Sequence, residues 1–295
     1  MLTLFAPAKI NVTLEILARR ADGYHALRSV MLPIALYDRI EIDIDGDGEP
    51  ATATRFVSSD AALAADNLVL RAYAASGAAP ARTIRLDKRI PVGGGLGGGS
   101  SDAAAILRAA MAGSFGERPD CDWLAAAQNL GSDVPFFLVG TGALVEGYGE
   151  RVTAIGSLPP WWVLVARPHA SVATADAYRR LDATRDGGGA PSRPRNASAS
   201  LAAIDALQRG DFEALVGSLL NDFHDVVVPA YPPIARADSA LRAAGATHVL
   251  LSGSGSCLFA IFACEADARA VAARVEPGAC DALFTVALHH DDAWR

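Results

Sequence analysis

The sequence predicts an α+β fold built from two domains, and three observations carry that prediction. Strand-like apolar runs dominate the first half of the chain, helical patterns then cluster, and mixed strands and helices return after residue 160. Six glycines in the seven positions from Gly93 to Gly99 lead straight into two serines and an alanine-rich helical segment. A chain of 295 residues exceeds the usual size of one hydrophobic core, and a break in pattern at 155–160 divides it into residues 1–157 and 158–295. Mixed sheets with helices laid on one face give the α+β class.

Taken in order, alternating or branched apolar residues mark strands at 2–5, 10–17, 30–36, 40–44 and 83–86. Helical spacing with plausible caps marks 67–75, 101–112 and 122–130. A strand at 161–166 stops before Pro168, and a short helix follows at 174–181. Residues 183–199, with three consecutive glycines, two prolines and three arginines, read as a mobile loop or linker. Helices then follow at 200–208, 211–220 and 233–244. Strands at 249–251 and 257–262 flank a Gly-Ser turn, and a helix at 265–275 precedes a last strand near 282–288.

Composition excludes several classes. With 51% hydrophobic and 20% charged residues the chain reads as a compact globule rather than a disordered one. No apolar run is long enough to span a bilayer, and the first eight residues lack the pattern of a signal peptide, so the expected location is the cytoplasm with no membrane partner. A net charge of −7 argues against a sequence-independent nucleic-acid binder. Cys121, Cys257, Cys264 and Cys280 show no metal-binding or disulfide spacing and read as buried thiols.

The stretch Pro91, Val92, Gly93, Gly94, Gly95, Leu96, Gly97, Gly98, Gly99, Ser100 and Ser101 reads as a phosphate cradle. Glycine allows positive φ and close approach of bare amides, and a helix N-terminus adds orphan donors and partial positive charge. Ser100 or Ser101 is placed to cap the helix or to reach a phosphate or Mg²⁺. The Walker A loop is absent, because no lysine follows Lys88. A dinucleotide fingerprint is met by Gly93, Gly95 and Gly98, but so glycine-rich a run matches almost any such template.

Lys9, between apolar residues of a strand, either snorkels from a strand end or meets an anion. Gly131 suits the left-handed position after a helix, which puts Asp133 on a loop. There Asp133 either braces the turn before Pro135 or, shielded by Val134, Phe136 and Phe137, serves as a base or charge partner. The turn from Ser252 to Ser256 reads as a tight β connection that can also offer amides to an anion.

An early Pro-x-Lys-Ile-Asn, the central Gly-Leu-Gly-Gly-Gly-Ser-Ser and the late Ser-Gly-Ser-Gly resemble, in order, the three motifs of the GHMP kinases. The resemblance implies an N-terminal domain like ribosomal protein S5 domain 2, a ferredoxin-like C-terminal domain, and a cleft that binds ATP as its Mg²⁺ complex. Residues 20–25, Arg-Ala-Asp-Gly-Tyr-His, are similar to the branch of that superfamily whose acceptor carries a diphosphocytidyl group. By the same resemblance Lys9 and Asp133 are catalytic, Asn11 orients one of them, and Tyr24, His25 and Tyr178 hold the cytosine. The implied partners are small molecules alone, acting on a monomer or homodimer.

Overall fold

The computed structural model describes residues 1–19, 25–44, 52–60, 63, 67–116, 118, 120–186 and 198–289. Two long strands organise the first half. β1 (Leu2–Arg19) and β2 (His25–Asp43) run antiparallel, from Leu2 opposite Ile42 to Arg19 opposite His25. The sequence reads each as two separate runs, because register shifts at Pro7/Ala8 and Asn11/Thr13 break the period-two alternation inside β1.

Further elements close the sheet and cover it. β3 (Arg55–Ser58), α1 (Leu68–Ala75), β4 (Thr83–Asp87), α2 (Gly98–Met111), α3 (Trp123–Leu130) and α4 (Val134–Val139) come next, followed by β5 (Ala143–Gly147) and β6 (Arg151–Ala154). The second half contains β7 (Trp162–Arg167), α5 (Thr174–Asp186), α6 (Ala199–Arg209), α7 (Phe212–Ser218), β8 (Leu220–Asn221) and α8 (His224–Val227). It ends with α9 (Pro232–Ala243), β9 (Val249–Leu251), β10 (Leu258–Phe262), α10 (Glu265–Arg274) and β11 (Ala282–Ala287). One sheet has seven strands, with the path β3-β4-β2-β1-β8 and a branch through β5 to β6; the other has four, in the order β11-β7-β10-β9. The strand pairs of the second sheet are all antiparallel.

Three apolar clusters fill the spaces between layers. One packs α1 to α4 against β1, β2 and β4, and another packs α5, α8, α9 and α10 against the second sheet. The remaining cluster joins both halves, and contains Ile10 and Leu32 together with Val163, Leu215 and Phe259. No helix among the described residues is long and apolar enough to cross a membrane.

Several expectations are corrected. α5 continues to Asp186, so residues 183–186 are helical rather than part of a loop. Gly131 is extended, at φ 167°, and not left-handed. Only Cys257 of the cysteines is buried; Cys264 is exposed and the other two are half-buried.

Candidate active site

The glycine loop is folded by alternation. Gly93, Gly95 and Gly97 have φ of +70°, +76° and +72°, a region that other residues enter only with strain. Leu96, between the last two of them, is 1% exposed in the cluster that joins the halves. Burying that side chain stabilises the loop's midpoint by roughly 1.5–3 kcal/mol.

Backbone bonds dock the loop on both sides. The Lys9 amide donates to the Leu96 carbonyl at 3.0 Å, and the Cys257 amide donates to the Gly94 carbonyl at 3.1 Å. The Ser252 hydroxyl donates to the Gly95 carbonyl at 3.0 Å. The late Ser-Gly turn is therefore a brace for the loop.

Gly97, not a serine, occupies the cap position of α2, and it has no side chain with which to cap. Neither Ser100 nor Ser101 caps the helix, because both lie inside its first turns. The first internal bond runs from the Ser101 amide to the Gly97 carbonyl at 2.9 Å, which leaves the amides of residues 98–100 without intrahelical acceptors. Those donors, with the helix dipole behind them, suit an anion.

Two cavities share this loop as a wall. The first, of about 440 Å³, is lined by Pro91 to Ser100 together with Asn67, Leu68, Lys88 and Asp102. The second, of about 290 Å³, is lined by Lys9, Asn11, Asp133 and Tyr178 together with Gly93, Gly95 and Gly97. Ser101 lines neither; it is fully buried, and its hydroxyl has no hydrogen-bond partner among the described residues.

In the second cavity Lys9 Nζ donates to Asn11 Oδ1 at 2.6 Å and stands 3.8 Å from Asp133 Oδ2. Asn11 Nδ2 donates in turn to the Ser29 hydroxyl at 2.8 Å, which fixes the amide's orientation. Burial pushes the Lys9 ammonium below the ordinary lysine value, against the opposing pull of Asp133. Asp133 is 30% exposed and sits at the N-cap of α4 without making a capping bond, so its carboxylate is open to the cavity.

Of the three residues expected to hold cytosine, two fall among the described residues. Tyr24 lies outside the described residues. His25 Nε2 stands 2.9 Å from Asp182 Oδ1, and its ring stacks on Tyr178 with centroids 5.2 Å apart. Asp182 is absent from the sequence reading, although its position one helical turn after Tyr178 puts both on the same face of α5. Nor does that reading give a role to Lys88, Asp38 or Asp102. The signal for Lys88 was scarcity: Lys9 and Lys88 are the chain's two lysines.

Among the described residues no three His, Cys, Asp or Glu side chains form a metal-binding group.

The loop, its brace and the two-sheet architecture define the class, and two family models of that class match. The GHMP kinases N terminal domain covers residues 62–141, and GHMP kinases C terminal covers residues 203–281. Similarity narrows it further. The 4-diphosphocytidyl-2-C-methyl-D-erythritol kinase of Symbiobacterium thermophilum is 41% identical over 257 residues, 84% of this chain and 86% of that protein. The enzyme of the same name from Geobacter sulfurreducens is 40% identical over 280 residues, 93% of this chain and 94% of the other. The crystal structure of a 4-(cytidine 5'-diphospho)-2C-methyl-D-erythritol kinase superposes with a TM-score of 0.76 at 33% identity, covering 97% and 99% of the two chains. The chain belongs to the 4-diphosphocytidyl-2-C-methyl-D-erythritol kinase family of the GHMP kinases.

Proposed function

We propose that this enzyme transfers the γ-phosphoryl group of ATP to the 2-hydroxyl of 4-diphosphocytidyl-2-C-methyl-D-erythritol, giving the 2-phosphate used in non-mevalonate isoprenoid precursor synthesis. The observation that carries this reading is the shared wall: one glycine loop separates a cavity for the nucleotide from a cavity that holds Lys9 and Asp133. The triphosphate lies along the loop amides, with its γ end toward Lys9. Asp133 takes the proton of the acceptor hydroxyl, and the oxygen attacks phosphorus in line as the bond to ADP breaks. Lys9 keeps Asp133 ionised and balances charge on the transferring group, and Asn11 holds the ammonium in place. Mg²⁺, arriving as the ATP complex, supplies charge neutralisation at the phosphates, and no side chain is assigned to it. Tyr24, His25 and Tyr178 belong to the proposed cytosine end of the acceptor site. Division at residues 157/158, a cytoplasmic setting, small molecules as partners and a monomeric or homodimeric state complete the proposal.

The test offers ATP with the diphosphocytidyl acceptor, mevalonate and homoserine in parallel and follows ADP release. Release with the cytidyl acceptor alone is expected. Preference for mevalonate or homoserine would make the chain another GHMP small-molecule kinase, and no release with any acceptor would leave a non-catalytic nucleotide binder.

Lys9 gives a second test through pH. Its ammonium is the active form and its pKa lies below 10.5, so activity is present at low pH on this limb and is lost as pH rises through the lowered value. The alkaline fall of kcat/KM for ATP, which reports the free enzyme, is therefore expected below pH 10.5. Bound triphosphate raises the ammonium's pKa, so the fall in kcat comes at higher pH. Coincident limbs in the two profiles would remove Lys9 from contact with the phosphates.

A further inference from the structure

The two ends of the glycine loop are tied to each other by a buried chain of three charged side chains. Just before the loop, the amides of Arg89 and Ile90 donate to Asp38 Oδ1 at 2.6 and 2.9 Å. Lys88 Nζ donates to Asp38 Oδ2, and also to Asp102 Oδ2 at 2.9 Å. Asp38 belongs to β2, while Asp102 lies in α2, just after the loop. All three side chains are buried, at 0% exposure for Asp38, 6% for Lys88 and 2% for Asp102. The ammonium lies directly under the helix start, because a Cβ placed on Gly98 would sit 3.1 Å from it.

Stability alone is a weak reason for such an arrangement. Taking three ionisable groups out of water is costly, and well-packed apolar replacements of buried ion pairs are often neutral or stabilising. What an apolar cluster lacks is direction. A chain of hydrogen bonds fixes the distance from residues 88–90 to residue 102, and hence the spacing of the loop ends between them. We propose that Asp102, acting through Lys88 and Asp38, is a positioning residue for the nucleotide: the three side chains form a clasp that sets the aperture of the glycine loop. The inference rests on reading that loop as the triphosphate site.

The charge state of the clasp guides the choice of variants. Burial pushes the Asp102 carboxyl up to about 8, over the opposing pull of Lys88 and with Asp38 adding to the rise. Its second oxygen, Oδ1, is buried with no hydrogen-bond partner among the described residues, a cost that is smaller for the neutral acid, the form the upward shift favours, than for the ion. Asparagine reproduces the shape, the neutrality and the acceptor for Lys88. Alanine removes the link.

The experiment is calorimetric titration of the whole protein with a non-hydrolysable ATP analogue, and separately with the diphosphocytidyl acceptor. Asp102→Asn is expected to bind the analogue within about threefold of the parent, and Asp102→Ala about tenfold or more weakly, a loss of about 1.4 kcal/mol or more. Acceptor affinity is expected to stay within about twofold in both, because a simple loss of packing would weaken both ligands. If Asp102→Ala fails to fold by circular dichroism, the pair Lys88→Met with Asp38→Asn leaves no unpaired buried charge and must show the same selective loss. Unchanged analogue affinity in the folded link-breaking variant, equal weakening of both ligands, or an asparagine variant as poor as the alanine one would each overturn the clasp. A parent protein that binds no ATP analogue would instead overturn the reading of the loop.

Discussion

Asp133→Asn is expected to lower kcat by a factor on the order of 10²–10⁴, the usual contribution of a positioned general base, while both substrates still bind. Asparagine has the carboxylate's shape but cannot take the hydroxyl proton. The side chain makes no capping bond to α4, so its replacement leaves the helix start intact. Single-turnover phosphoryl transfer, with binding of each substrate measured separately, is the check. Turnover within a few-fold of the parent would show that the hydroxyl loses its proton elsewhere, and a matching loss of acceptor affinity would make Asp133 a binding group instead.

Gly95→Ala is expected to weaken binding of an ATP analogue at least about tenfold, because two penalties coincide. A non-glycine residue at φ +76° is strained by roughly 1–2 kcal/mol. The added Cβ would also fall 2.0 Å from the Ser252 carbonyl oxygen, so the loop and its brace must separate. Gly113→Ala is the matched control: its φ is +79° and its Cβ meets nothing within 4 Å, so it carries the strain without the collision. Parent-like affinity in the control and a large loss in Gly95→Ala would attribute the effect to the brace. Equal affinities in the two variants would remove it. At Gly97 an added Cβ would instead press on Phe137 and Lys9, at 3.0 and 3.1 Å.

How much of this was legible in the sequence depended on how local the determinant was. The glycine loop and its helix could be read directly, because positive φ, bare amides and a helix start are properties of neighbouring residues. Lys9 and Asp133 were ambiguous one at a time. Only the resemblance to the GHMP kinases joined them, since a strand near the start of the chain and a short helix far along it carry no mutual spacing signal. α4 was missed because six residues, apolar on every side and with Pro135 in the first turn, give no helical periodicity. The long strands looked broken because their irregular registers fall beside Lys9 and Asn11, where polar side chains interrupt the apolar pattern. The tie among Asp38, Lys88 and Asp102 was invisible because strand pairing and helix packing create it.

The strand that carries Lys9 also bears on how the chain unfolds. Ala6 lies in the cluster under α1 to α4, Ile10 and Val12 in the cluster between the halves, and Leu14 and Ile16 in the cluster under the second sheet. A single backbone segment is thus common property of every hydrophobic core, and melting any one of them strips apolar cover from a strand the others need. Cooperativity is the expected consequence of that sharing: the two halves are distinct in architecture, yet loss of one core uncovers a strand that serves the others, and Lys9 lies on that strand.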